Sequence, residues 1–131
     1  MAAEIWLREA ASLSPDEPAV WEALARFYLD HHIVSNERAM GATERLLALV
    51  PDDAEAHDLR GWAAVQTGSY DVAETHLTRA LELDPELAAA QYHMGLLREA
   101  QGRNEEAKRA FQQAIDLDTE GTLSRLIERS E

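Results

Sequence analysis

Residues 54–87 align without a gap over residues 88–121, and nine identities fall together. They are Ala54/Ala88, Ala56/Ala90, Gly61/Gly95, Gly68/Gly102, Ala73/Ala107, Ala80/Ala114, Leu83/Leu117, Asp84/Asp118 and Glu86/Glu120. A 34-residue period constrains the chain more than its composition does. Each copy must make the same local structure and bury the same face against its neighbour.

The repeated positions have physical reasons. Gly61 and Gly95 fall in the middle of a helical stretch, where Gly costs about 1 kcal/mol relative to Ala. Its recurrence implies a helix–helix approach that a side chain would block. Gly68 and Gly102 follow at the place where a helix ends in a left-handed residue, and Ser69 is suited to cap the next helix. Ala73, Ala80, Ala107 and Ala114 keep that second helix slim. Leu77, Leu81, Leu83, Phe111, Ile115 and Leu117 supply buried volume. Pro85 stops the second helix and opens the next unit.

This spacing of Ala, Gly, Leu or Phe, and Leu-Asp resembles the tetratricopeptide repeat. An earlier unit, 18–53, carries Trp21, Leu24 and Tyr28 where that family has its Trp, Leu and Tyr, and Ala39, Leu46, Leu47, Leu49 and Pro51 in its second helix. It is longer than the period, so the turn across His31–Asn36 is expected to be extended. Residues 2–17, with Ala3, Leu7, Ala10, Leu13 and Pro15, match a second helix without a first. Residues 122–131 read as a capping helix.

The expectation is an all-α, right-handed α-solenoid of antiparallel helix hairpins in one domain. It comprises about three units (18–53, 54–87, 88–121), an N-terminal half-repeat helix and a C-terminal cap. Helices are expected at 2–13, 18–31, 37–49, 53–67, 70–83, 87–101 and 104–117, with a cap at 121–130. His57 and Arg60 stand where Trp21 and Leu24 stand in the first unit, so packing there departs from the family pattern.

The resemblance implies a concave groove lined by first helices. The matching positions are Ala19, Glu22, Arg26, Leu29 and Asp30, then Glu55, Asp58, Trp62, Val65 and Gln66, then Ala89, Tyr92, Leu96, Glu99 and Ala100. Acids outnumber the single base, Arg26, and surround apolar side chains. Trp62 and Tyr92 are the expected anchors of a captured polypeptide segment carrying apolar and basic residues. Glu22, Glu55, Asp58 and Glu99 are the carboxylates that would meet its cations. Some members of the family grip a chaperone's terminal carboxylate with Lys, Asn and Arg. The matching positions here are Glu22, Arg26, Leu59, Ala89 and His93, so that clamp is missing.

A formal net charge of −13 argues against nucleic acid and against anionic membrane surfaces as partners. Cysteine is absent, which removes disulfides, thiolate metal sites and cysteine nucleophiles. The start, MAAEIWLREA, lacks the basic and apolar regions of a secretory signal. No apolar run is long enough to span a bilayer. A soluble, cytoplasmic chain is expected.

No histidine spacing suits a metal, no glycine-rich phosphate loop precedes a helix, and no serine sits in a nucleophile elbow. Asp52–Asp53 and Glu105–Glu106 lie at helix starts, where carboxylates complement the helix dipole. Neither an enzyme nor a cofactor is expected. The leading expectation is a protein-binding scaffold. The alternative is a structural or self-associating segment of a longer array, or the recruiting arm of a larger protein. For self-association, Trp6 and Leu7, with Ala3 and Ala10, form an apolar face on the first helix and suggest a homodimer through that end.

Overall fold

Proline, aspartate and glycine punctuate the chain at regular intervals, and the helices between them are nearly equal in length. The computed structural model describes residues 2–31 and 36–118. Among the described residues seven α-helices run in order: α1 (Ala2–Leu13), α2 (Pro18–His31), α3 (Asn36–Leu49), α4 (Ala54–Thr67), α5 (Tyr70–Leu83), α6 (Ala88–Ala100) and α7 (Asn104–Leu117). The expected cap at 122–131 and most of the long turn after His31 lie outside the described residues.

One four-residue turn closes successive units. Glu17, Asp53 and Leu87 donate their N–H groups to the carbonyls of Ser14, Val50 and Asp84 at 3.1, 3.1 and 3.2 Å. Pro15, Pro51 and Pro85 each occupy the second position of that turn, where a fixed φ is favourable. Inside the hairpins a different device operates. Gly68 and Gly102 both adopt φ 78°. Beyond them Ser69 and Arg103 donate to Ala64 and Arg98 at 2.9 and 2.8 Å, which satisfies carbonyls left open by the helix end.

Helix boundaries follow the expected spans to within one residue, and the differences have a cause. Asp53 precedes α4 as its cap, accepting the Ala56 N–H at 2.9 Å, so the helix proper starts one residue later. Ser69 takes the cap position of α5 but makes no capping bond. Its hydroxyl instead accepts from Thr67 Oγ1 at 3.1 Å, which corrects the capping role expected for it.

First helices form the inner layer. α2 packs on α4 and α4 on α6, whereas α1, α3, α5 and α7 have no α-carbons within 8 Å of one another. An array whose inner helices touch while its outer helices splay must curve, giving an all-α solenoid of helical hairpins. Two apolar clusters fill it. One joins α1, α2, α3 and α4 around Leu24, Leu29, Leu46 and Leu59; the other joins α4, α5 and α6 around Leu77 and Leu97. Leu29, Leu59, Leu77 and Leu97 are fully buried, so truncating any one to Ala should cost about 2–5 kcal/mol.

The mid-helix glycines make the close approach that their recurrence implied. A Cβ on Gly61 would lie 2.6 Å from Leu77 Cγ, and one on Gly95 would lie 2.5 Å from the Phe111 ring. Both large side chains sit the same distance further along the chain. Gly61→Ala and Gly95→Ala are therefore expected to lower the urea midpoint, because about 1–3 kcal/mol of overpacking exceeds roughly 1 kcal/mol of gained helix propensity. Gly41, mid-α3, has nothing within 4 Å of an added Cβ, and Gly41→Ala should raise the midpoint. Three shifts of the same sign would contradict this account.

Candidate functional site

The inner face of α2, α4 and α6 divides into an acidic end and an apolar end. At the acidic end, Arg26 lies 3.9 Å from Glu22 on its own helix and 3.5 Å from Glu55 on α4. All three side chains reach solvent. One guanidinium serves two carboxylates, so negative charge remains in excess. Glu55 shows the consequence. Burial first, then the neighbouring carboxylate of Glu22, push its pKa up, and Arg26 only partly offsets them.

At the other end, Trp62 and Val65 from α4 and Tyr92, Leu96 and Glu99 from α6 converge. Together with Gln66 and Ala100 they line a cavity of about 330 Å³. The walls are mainly apolar, with Glu99 the only carboxylate among the lining residues. The Tyr92 hydroxyl has its pKa raised by burial, then by Glu99. Of the residues expected from the repeat register, the structure thus brings Trp62, Val65, Tyr92, Leu96 and Glu99 to one cavity. Glu22, Arg26 and Glu55 stand apart from it as an acidic flank.

Two expected groove positions turn inward. Leu29 is fully buried in the core. Asp58 is 4% exposed, and His93 Nδ1 donates to its Oδ1 at 2.7 Å. Asp58 therefore presents no open carboxylate to a ligand. Its bond has another use: Trp62 stacks flat on the His93 ring, with centroids 4.5 Å apart and planes 17° from parallel. Asp58 orients His93, and His93 supports Trp62 from behind. Trp62 is thus packed on one face and lines the groove with the other. Gln66 helps shape the same wall by donating to the Leu29 carbonyl at 3.3 Å.

One cross-helix contact escaped the sequence reading. His57 and His76 meet across the α4–α5 hairpin, Nδ1 to Nδ1 at 3.0 Å, while His57 Nε2 donates to the Pro51 carbonyl at 2.8 Å. A carbonyl only accepts, so the two Nδ1 atoms share one proton. Among the described residues no three His, Asp or Glu side chains gather as a metal site. On α1, Trp6 is 72% exposed, and Ile5 and Leu13 are 64% and 77% exposed. Leu7 is half-buried against the core, so the bare apolar surface is Ile5, Trp6 and Leu13 rather than Trp6 and Leu7.

The strained carboxylate gives a measurable effect. A folded-state pKa above the unfolded one means that the group's contribution is fully present at low pH and is lost as pH rises through the folded value. Glu55→Gln is expected to raise the urea midpoint slightly at pH 7 and to leave it unchanged at pH 3.5. An equal gain at both pH values would show that charge is not the cause.

Comparison with known proteins places these features. The profile of the tetratricopeptide repeat matches residues 35–88 and 59–122. No curated protein matches the sequence. Among solved structures, a thermophilic tetratricopeptide protein of Thermus thermophilus is similar over 93% of this chain and 68% of its own, with TM-score 0.79 and 21% identity. MamA from Desulfovibrio magneticus is similar over 89% of this chain and 65% of its own, with TM-score 0.73 and 21% identity. Another MamA structure covers 88% of this chain and 67% of its own, with TM-score 0.71 and 23% identity. The chain spans about two thirds of the length of these structures. At such identities the likeness is one of fold. Among the described residues, no helix is long and apolar enough to cross a membrane.

Proposed function

The chain belongs to the tetratricopeptide repeat family, and on that premise we propose that it is a non-catalytic scaffold that holds a polypeptide segment in its groove. The observation that carries this reading is the cavity lined by Trp62, Val65, Tyr92 and Leu96 beside the flank of Glu22 and Glu55. An apolar side chain of the partner fills the cavity. A Lys or Arg on the same segment reaches the acidic flank and offsets the repulsion between Glu22 and Glu55 that adds to the effect of burial on Glu55.

Trp62 is suited to this work because its position is set before binding. Its ring is already stacked on His93, so little side-chain entropy is lost when a ligand covers its free face. Centrally placed aromatics of this kind commonly contribute about 2 kcal/mol or more to binding.

A capped peptide array that combines one aromatic or leucine anchor with Lys or Arg at varied spacing tests the proposal. Retention is expected for such peptides, with a loss of tenfold or more in Trp62→Ala and in Glu55→Arg while helical circular dichroism is kept. Binding unchanged in both variants would remove the groove from the account.

The bare Ile5, Trp6 and Leu13 side chains favour a second reading alongside the first. α1 packs on α2 and leaves these three side chains to solvent. Contact with a second copy at this end would take that surface out of water. Sedimentation of the chain is expected to show a concentration-dependent rise in mass that Trp6→Ser with Leu13→Ser abolishes. A single species at monomer mass up to high concentration would set this reading aside.

A further inference from the structure

We propose that the cleft between α1 and α3 is a second binding site, specific for the carboxylate side chains of an acidic polypeptide segment. It lies across α2 from the groove: Trp21, Leu24 and Tyr28 face it, whereas Glu22 and Arg26 occupy the opposite side of that helix. The cavity measures about 360 Å³, and Arg8, Arg38 and Arg45 border it together with Trp21 and Tyr28. The chain has 25 acidic residues and 12 basic ones, so three arginines around one cavity run against its composition.

The successive outer clefts show what is unusual here. Between α3 and α5, Arg60 reaches Glu44 at 3.3 Å. Between α5 and α7, Arg98 is held by Glu74 at 2.7 Å and by Glu106 at 3.4 Å. In both, a carboxylate answers each bridging cation. In the α1–α3 cleft one carboxylate, Glu4, meets Arg38 at 2.6 Å. Among the described residues neither Arg8 nor Arg45 has an acid within 4.0 Å. Among the described residues these two positive charges lack an ion pair at that distance, in a protein that is otherwise strongly negative.

The geometry is prepared for an anion. Trp21 is fixed by its indole N–H, which donates to the Pro15 carbonyl at 2.8 Å. The Arg45 guanidinium lies over that indole, 5.1 Å from the ring centroid. A guanidinium held over an aromatic ring keeps N–H groups with which to donate to a carboxylate. Glu4 shows that this wall accepts such a group: Arg38 holds it. Burial works to raise the Glu4 pKa, but Tyr28, Arg38 and Arg8 outweigh it and hold the group below its usual range. Gly41 borders the cavity with nothing within 4 Å of an added Cβ, so there is room for a side chain from outside. Two cations without a close ion pair fit two acidic side chains, and the surrounding field of the protein disfavours long polyanions.

The test uses the whole chain and a capped peptide in which Glu alternates with Leu. Its controls are the same peptide with Gln in place of Glu, and inorganic phosphate alone. Binding is followed by NMR at the Trp21 indole and the arginine Nε–H groups. Saturable shifts of Trp21 and Arg45 are expected with the Glu peptide, with at least tenfold weaker binding of the Gln peptide. Arg45→Gln and Arg8→Gln should each weaken the Glu peptide by tenfold or more. Both side chains are exposed, so helical content should be kept. Gly41→Leu, which fills the cavity and leaves every arginine in place, should also abolish the shifts, whereas Trp62→Ala should not affect them. Equal binding of the Glu and Gln peptides, indifference to Arg45→Gln, or phosphate alone binding as tightly as the peptide would each overturn the proposal.

Discussion

At Gly61 an added methyl group would lie within 2.6 Å of Leu77, and at Gly95 within 2.5 Å of Phe111. Those contacts set how close the two helices of a hairpin come. Everything outside the hairpin depends on that distance. It lets a slim second helix with Ala73, Ala80, Ala107 and Ala114 bury against its neighbours. It also brings the first helices together as the inner layer. The first unit reaches the same end with different volumes. Ala25 and Thr43, both fully buried, stand at the register positions that Gly and the large side chain hold later. A larger residue on one helix is matched by a smaller one on the other, as close packing requires.

Charge is sorted rather than spread. The groove carries Glu22 and Glu55 against a single arginine, and the α1–α3 cleft carries three arginines against a single glutamate. Between these faces, ion pairs span successive outer helices. Glu4 and Glu74 occupy equivalent positions, and each is held by an arginine of a following hairpin, Arg38 in one case and Arg98 in the other. Such pairs contribute little to stability when exposed, roughly 0–1 kcal/mol. Their effect is to select the rotation of one hairpin on the next, because a bidentate guanidinium such as Arg98 on Glu74 tolerates little displacement.

The helices, their turns and the apolar end of the groove were legible because they depend on periodicity. Pro15, Pro51 and Pro85 mark the same turn, and the register alone brings Trp62, Tyr92 and Leu96 to one face. What could not be read depends on pairing across helices. Asp58 has the position of a groove acid, yet its carboxylate pairs with His93, 35 residues away. Leu29 is buried in the core. The meeting of His57 with His76 puts a polar contact where the first unit has the aromatic Trp21, and only the departure at position 57 hinted at it. Arg8, Arg38 and Arg45 lie on two different helices with no common spacing, so their convergence was invisible until α1 and α3 were set beside α2.

Ala63 and Ala64 are neighbours in the chain but belong to different apolar clusters, one reaching back to α1 and the other forward to α6. α4 is thus a party wall. Each side can loosen on its own schedule, as local units of an elongated array do. Trp62 packs on the first cluster and Val65 on the second, and both border the same cavity. A side chain lodged there would act as a splint across the wall, so that two halves able to fray separately would instead melt as one.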